Sequence, residues 1–193
     1  MRLEILTLLG LASASVARME AQVPFRNGNV TSGTLSFDGH ATAGDFTGNT
    51  AVVTGHVSGA SLEASEGWVE APVTTLKTGN DHRDRDLNKS MESEKYPTIR
   101  FELHDVTQGA TAGDSTTVTL HGRFLIHGVT RPVALPATLA MRSGGVHLTS
   151  SFPLNLKDYE IGGLSKMLGM LKMYPDIVVH VDLNIDEAKT DQN

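Results

Sequence analysis

Ile177-Val-Val-His-Val-Asp-Leu-Asn-Ile185 is the stretch whose reading decides the fold. Ile177, Val179, Val181, Leu183 and Ile185 fall on one face of an extended chain, and Val178, His180, Asp182 and Asn184 on the other. Side chains alternate across a strand, so this period of two predicts a half-buried strand. The same alternation recurs upstream in Ile99, Phe101 and Leu103, and in Val118, Leu120, Gly122, Phe124 and Ile126. It recurs again in Val133, Leu135, Ala137, Leu139 and Met141, and in Val146, Leu148, Ser150, Phe152 and Leu154. Three earlier segments are less regular. Residues 31–37 end in Leu35 and Phe37; residues 42–57 carry Phe46, Val52, Val53 and Val57, interrupted by Gly44, Gly48 and Gly55; residues 60–75 carry Val69, Ala71 and Val73. Glycines inside strands predict the bulges and bends of a curved sheet. About eight antiparallel strands with one apolar face each must close into a barrel or stack as a sandwich. An eight-stranded barrel has an interior just wide enough to be filled by side chains or to hold one small apolar ligand.

Composition sets the outer limits. The chain has 193 residues, 39% of them apolar, which suits one domain with a core that needs no covalent staples. It has no cysteine, which excludes disulfides, thiolate metal sites, iron–sulfur clusters and a cysteine nucleophile. The formal net charge of −6 argues against non-specific binding to nucleic acid or to an anionic membrane surface. No integral membrane segment is expected, because no stretch reaches about 18 consecutive apolar residues. At the N-terminus, Met1-Arg2-Leu3-Glu4 precedes an apolar run from Ile5 to Ala17 that ends in small residues, with Ser15-x-Ala17 matching a signal-peptidase site. The chain therefore divides into a signal peptide over 1–17, a flexible lead-in over 18–29, a barrel domain over 30–187 and a polar tail over 188–193. A periplasmic or secreted location follows from that division.

Two segments break the alternation. Residues 79–96 are densely charged, and Leu87 and Met91 at i, i+4 predict a short helix ending before Tyr96-Pro97. Within it Asp81, Arg83 and Asp84 are expected to form a charge and capping network that ties the helix to the barrel. In residues 161–173, Ile161, Leu164, Met167, Leu168 and Leu171 fall at helical spacing, which predicts a second, amphipathic helix. Its methionines suit either ordinary filling of the core or an adaptable cover over an alkyl chain.

Motifs in these segments carry a resemblance. Val73-Thr-Thr-Leu-Lys-Thr-Gly-Asn-Asp-His-Arg-Asp-Arg-Asp-Leu87 is followed by Tyr96-Pro-Thr-Ile-Arg-Phe101, then by Gly128-Val-Thr-Arg-Pro-Val133 and Phe152-Pro-Leu-Asn-Leu-Lys-Asp-Tyr-Glu-Ile161. With Phe37-Asp-Gly-His-Ala-Thr-Ala-Gly-Asp-Phe46 upstream, this order and spacing resembles the YceI-like family of small lipid- or polyisoprenoid-binding proteins. One departure is Tyr159-Glu160-Ile161, where many members carry Phe-Gly-Ile. The resemblance implies an all-β fold: an antiparallel eight-stranded lipocalin-like barrel with one or two short helices and an apolar tunnel. It also implies a bound isoprenoid lipid, an exported protein and a homodimer as a common state.

The chemistry-bearing residues give little else. His104, His121, His147 and His180 fall on polar strand faces without metal-ligand spacing, so no metal and no catalytic residue is expected. The expected function is a binding protein, not an enzyme, that holds a polyisoprenoid or isoprenoid quinone for sequestration or transport, with no cofactor. The candidate lining is Phe37, Phe46, Val69, Ile99, Phe101, Phe124, Leu139, Phe152, Leu154, Met167, Leu171 and Val179. The alternatives are a metal-dependent or other enzyme using the strand histidines, and a structural, partner-binding barrel with a packed core.

Overall fold

The structure, a computed structural model, describes residues 27–162, 165–166 and 171–188. The expected signal peptide, most of the lead-in, Met167, the Leu171 side chain and most of the tail lie outside the described residues.

The strands are β1 (Gly28–Gly39), β2 (Phe46–Thr50), β3 (Thr54–Gly59), β4 (Ser65–Pro72), β5 (Thr98–Ala112), β6 (Ser115–Ile126), β7 (Val129–Arg142), β8 (Gly145–Asn155), β9 (Ser165–Lys166), β10 (Leu171–Lys172) and β11 (Asp176–Glu187). β1 begins inside the stretch read from sequence as a lead-in. β2 and β3 share one stave, broken at residues 51–53: β1 pairs with β2 through Leu35–Gly39 and with β3 through Gly28 and Asn29. Each remaining stave pairs antiparallel with its neighbour, and β11 returns to β1, so eight staves close on themselves. The predicted all-β barrel is therefore the observed architecture.

The inward faces are the aliphatic stripes. Leu183 and Val73 are almost wholly buried, and Val73 shares a continuous core with Phe37, Val118, Leu120, Phe124, Leu139, Phe152, Ile177 and Val179. Aromatic rings fill the space that inward glycines leave. Phe37 pairs with Gly48, and Phe46 with Gly39, across β1 and β2. A Cβ on Gly48 would sit 2.4 Å from the Phe37 ring, and one on Gly39 2.7 Å from the Phe46 ring, so each ring occupies the place of its partner's missing side chain. In β5 the pairing register with β6 shifts between Leu103 and Asp105. That bulge reverses the phase of the strand: Phe101 and Leu103 face inward before it, and buried Val106 after it.

One helix stands where expected. α1 (Asp81–Ser90) lies over the end of the barrel where β4 stops and β5 begins. The expected second helix over 161–173 is corrected: Ser165–Lys166 and Leu171–Lys172 pair antiparallel as a two-stranded ladder. Helical spacing of apolar residues competed with Gly162, Gly163 and Gly169, each costing a helix interior about 1 kcal/mol, and the glycines decided it.

Among the described residues the wall has an open seam between β7 and β8. β7 pairs with β6 along Val129–Ala140, but with β8 only from Ala137 to Arg142. The Ser150 hydroxyl donates to the Pro136 carbonyl at 2.6 Å, so residue 136 directs its backbone groups toward β8. By the two-residue repeat Pro132 and Ala134 do the same, and Pro153 on β8 directs its own toward β7. Three prolines thus remove donors from the two lips of the seam. From inside, Phe124 on β6 and Phe152 on β8 meet at 5.6 Å between centroids and close the gap behind β7.

Two outcomes follow. The Ala134 amide should exchange with solvent deuterium faster than that of Ala140, within the β7–β8 ladder, by an order of magnitude or more, as NMR-detected exchange would show. Glu160 holds φ 55° and ψ 23° after the 3-10 turn Leu156–Tyr159, a left-handed conformation costing a side-chain-bearing residue about 1–2 kcal/mol. Against the extra chain entropy of glycine, Glu160→Gly should raise stability by about 0.5–1 kcal/mol, read from the urea midpoint.

Candidate functional site

The inward faces enclose an elongated cavity of about 560 Å³ that runs from α1 and the residue 40–45 turn to the far end of the barrel near Leu62 and Met141. Its wall is dominated by aliphatic and aromatic side chains from every stave. The volume lies within the range of pockets that take one small-molecule ligand, about 300–1,000 Å³.

Phe37, Phe46, Val69, Ile99, Phe101, Phe124, Leu139, Phe152, Leu154 and Val179 all stand on this wall. Phe101, Phe124 and Phe152 form a belt across it, with successive centroids 5.2 and 5.6 Å apart. Sequence reading left out Leu62, Leu76, Met91 and Val106, which also line the cavity. Leu62 and Leu76 lie in connections where no alternation marks an inward face, and Val106 lies beyond the β5 bulge.

The cavity opens at one end. Its exposed lining residues, Thr42, Ala43, Asn80, His82 and Lys172, all cluster between α1, the 40–45 turn and β10. That cluster is held together by backbone pairing. Thr42 N–H donates to the Lys172 carbonyl at 2.9 Å, Lys172 N–H donates to the Thr42 hydroxyl at 3.1 Å, and Ala41 bridges to Met173. At the far end, Leu62 is buried and the charged lining residues are Asp186 and Glu187.

In the charge network expected on α1, Asp84 is the anchor and Arg83 acts on it electrostatically. The N-cap is Asn80, whose side-chain oxygen accepts from the His82 and Arg83 amides at 3.0 and 3.1 Å. Asp81 is an exposed acid in the first turn, where the helix dipole favours it. Arg83 carries its guanidinium over the Phe46 ring, 4.3 Å from the centroid, and its charge helps to lower the Asp84 carboxyl. Asp84 does anchor the helix: its carboxylate accepts from the Thr78 hydroxyl at 2.7 Å and the Thr78 amide at 2.8 Å, with Lys77 Nζ at 3.9 Å. The Thr78 hydroxyl bond holds the Asp84 carboxyl below its ordinary value, against the upward push of desolvation; the Thr78 amide and Lys77 lower it further.

His121, His147 and His180 serve the outer face. His180 bonds Asp38 at 3.0 Å through Nε2 and Ser151 at 3.1 Å through Nδ1, and Thr47 donates to Asp38 at 2.8 Å. This chain laces four neighbouring staves: β2, β1, β11 and β8. Its serine, histidine and aspartate have the residue types of a nucleophilic triad, yet they lie on the convex face, away from the cavity. His147 pairs with Asp182 at 2.9 Å, and His121 contacts Thr107 at 2.9 Å. Among the described residues, histidines and acids meet in pairs but nowhere in the groups of three or more that hold a metal. No helix among them is long and apolar enough to cross a membrane.

A family model described as the YceI-like domain matches residues 26–185. No curated protein sequence matches the chain. Among solved structures, a polyisoprenoid-binding domain from Saccharophagus degradans is similar with a TM-score of 0.70 at 16% identity, covering 86% of this chain and 100% of that one. BcnA of Burkholderia cenocepacia gives 0.66 at 12% identity, covering 79% and 95%. The Campylobacter jejuni YceI protein gives 0.58 at 16% identity, covering 74% and 85%. At these identities the likeness establishes the barrel fold.

The ionised form of Asp84 is the one the fold favours, so its contribution is complete above the unfolded carboxyl value of about 3.9 and fades as pH falls through the lower folded value. Asp84→Asn should therefore lower the melting temperature at neutral pH, and the gap to the parent protein should narrow below about pH 4. A gap that stays constant across thermal melts from neutral to acid pH would contradict this.

Proposed function

The chain belongs to the YceI-like family, and on that premise we propose that it is an exported binding protein that holds one lipid chain in the barrel, for sequestration or transport. The observation that carries this reading is the continuous apolar cavity, open at the α1 end and lined from every stave. The similar domain from Saccharophagus degradans is described as polyisoprenoid-binding, which supports an isoprenoid or similar amphiphile as the cargo. The cavity's volume and its apolar wall suit the chain of one lipid.

Area burial is a sufficient mechanism. Covering about 400 Å² of chain at roughly 25 cal/mol per Å² yields about 10 kcal/mol before the costs of association and ordering. No proton transfer or covalent step is needed, and we assign no catalytic residue. Export is supported by the charged start, short apolar run and small-residue end of residues 1–17.

Native mass spectrometry of protein purified from cells, followed by lipid extraction, should reveal a bound single-chain lipid. Protein that is always empty and takes up no prenyl alcohol or quinone would sink the reading. Val181→Trp places an indole in the cavity from β11 and should leave a folded barrel that loses at least tenfold in affinity for a prenyl probe, as fluorescence titration would report.

A further inference from the structure

The mouth of the cavity carries two cations held in an unusual way. Arg83 lies on the face of Phe46, and Lys172 Nζ lies 5.9 Å from the centroid of the Tyr174 ring. Among the described residues neither has a carboxylate within ion-pair distance, and both stand on the cavity wall. An aromatic face positions a cation without cancelling its charge. Stacking also uses only the flat face of a guanidinium, which leaves its in-plane N–H fork for a carboxylate or phosphate. The backbone bonds between Thr42 and Lys172 fix the second cation beside the opening. Asp86, the acid on this rim among the described residues, is itself engaged. At the far end the acids on the wall are themselves engaged, Asp186 with Arg142 at 2.8 Å. The cations at the mouth therefore favour an anion there.

From this we infer that the cargo is an amphiphile with an anionic headgroup, seated at the mouth between Arg83 and Lys172 with its chain running down the barrel. This rests on the lipid-binding reading and narrows its ligand class. A fatty-acid carboxylate and a prenyl phosphate share the required chemistry.

The test compares matched ligands by calorimetric titration: a long-chain fatty acid against its methyl ester, and a prenyl monophosphate against the corresponding prenyl alcohol. Each anionic member should bind about tenfold tighter or better than its neutral partner, as one charge-assisted hydrogen bond implies. High salt should shrink that advantage. Arg83→Gln and Lys172→Gln should each reduce the affinity ratio within each matched pair, and Arg83→Lys should restore part of it. If Arg83→Gln fails to fold, Lys172→Gln and the salt dependence of the parent protein decide. The pair showing the larger advantage identifies which anion is the cargo. Equal affinity within both pairs would overturn the headgroup assignment and leave the lipid-binding reading standing. No binding of any of the four would overturn both.

Discussion

Closure of the sheet through the ladder between β1 and β11 is the constraint on which everything else depends. It joins the first described strand to the last, Gly28 to Glu187 at one end and Asp38 to Val178 at the other. With it, the stripe of Leu35 and Phe37 lies beside the stripe of Val179, Val181 and Leu183 on one interior wall. Without it, both stripes would lie open to water at a free sheet edge. The outer face reinforces the join where Asp38 meets His180 and where Asn184 donates to the Ser32 hydroxyl at 3.0 Å. Since these partners lie about 150 residues apart, the interior can form only late, after the rest of the sheet has ordered.

The interior stays open because of how the aromatics are spent. A ring opposite an inward glycine makes a dense wall at Phe37 and Gly48 and at Phe46 and Gly39, where the ring covers backbone. The Phe101, Phe124 and Phe152 belt does the same on the other side. Aliphatic residues from the remaining staves are too short to meet across the centre. The mouth is built differently, from short polar residues and two long cations laid on rings. Wall and mouth thus divide the work: one supplies area, the other orientation.

Much of this was legible in the sequence, for a physical reason. On β6, β8 and β11 the alternation is uninterrupted, and period two fixes which side chains face in. Legibility failed where the period is reset or absent. The β5 bulge reversed the phase and hid Val106. Leu62 and Leu76 are buried by connections whose path is a tertiary fact. The segment 161–173 has helical spacing but glycines that oppose a helix, and its described parts form a ladder. On α1 the charges were visible but their partners were not. Asn80 caps the helix although Asp81 follows it, and Arg83 chose a ring brought by β2 from far along the chain. Proximity in sequence suggested the pairing with Asp84; only folding could bring Phe46.

The seam between β7 and β8 gives the barrel a property that a fully laddered wall would lack. An unpaired strand edge normally invites another chain to add itself, the first step toward aggregates of extended chains. Here the two lips carry Pro132, Pro136 and Pro153, which have no N–H to offer a visiting strand. The wall can therefore leave this stretch unladdered without turning it into a template for the protein's own precipitation.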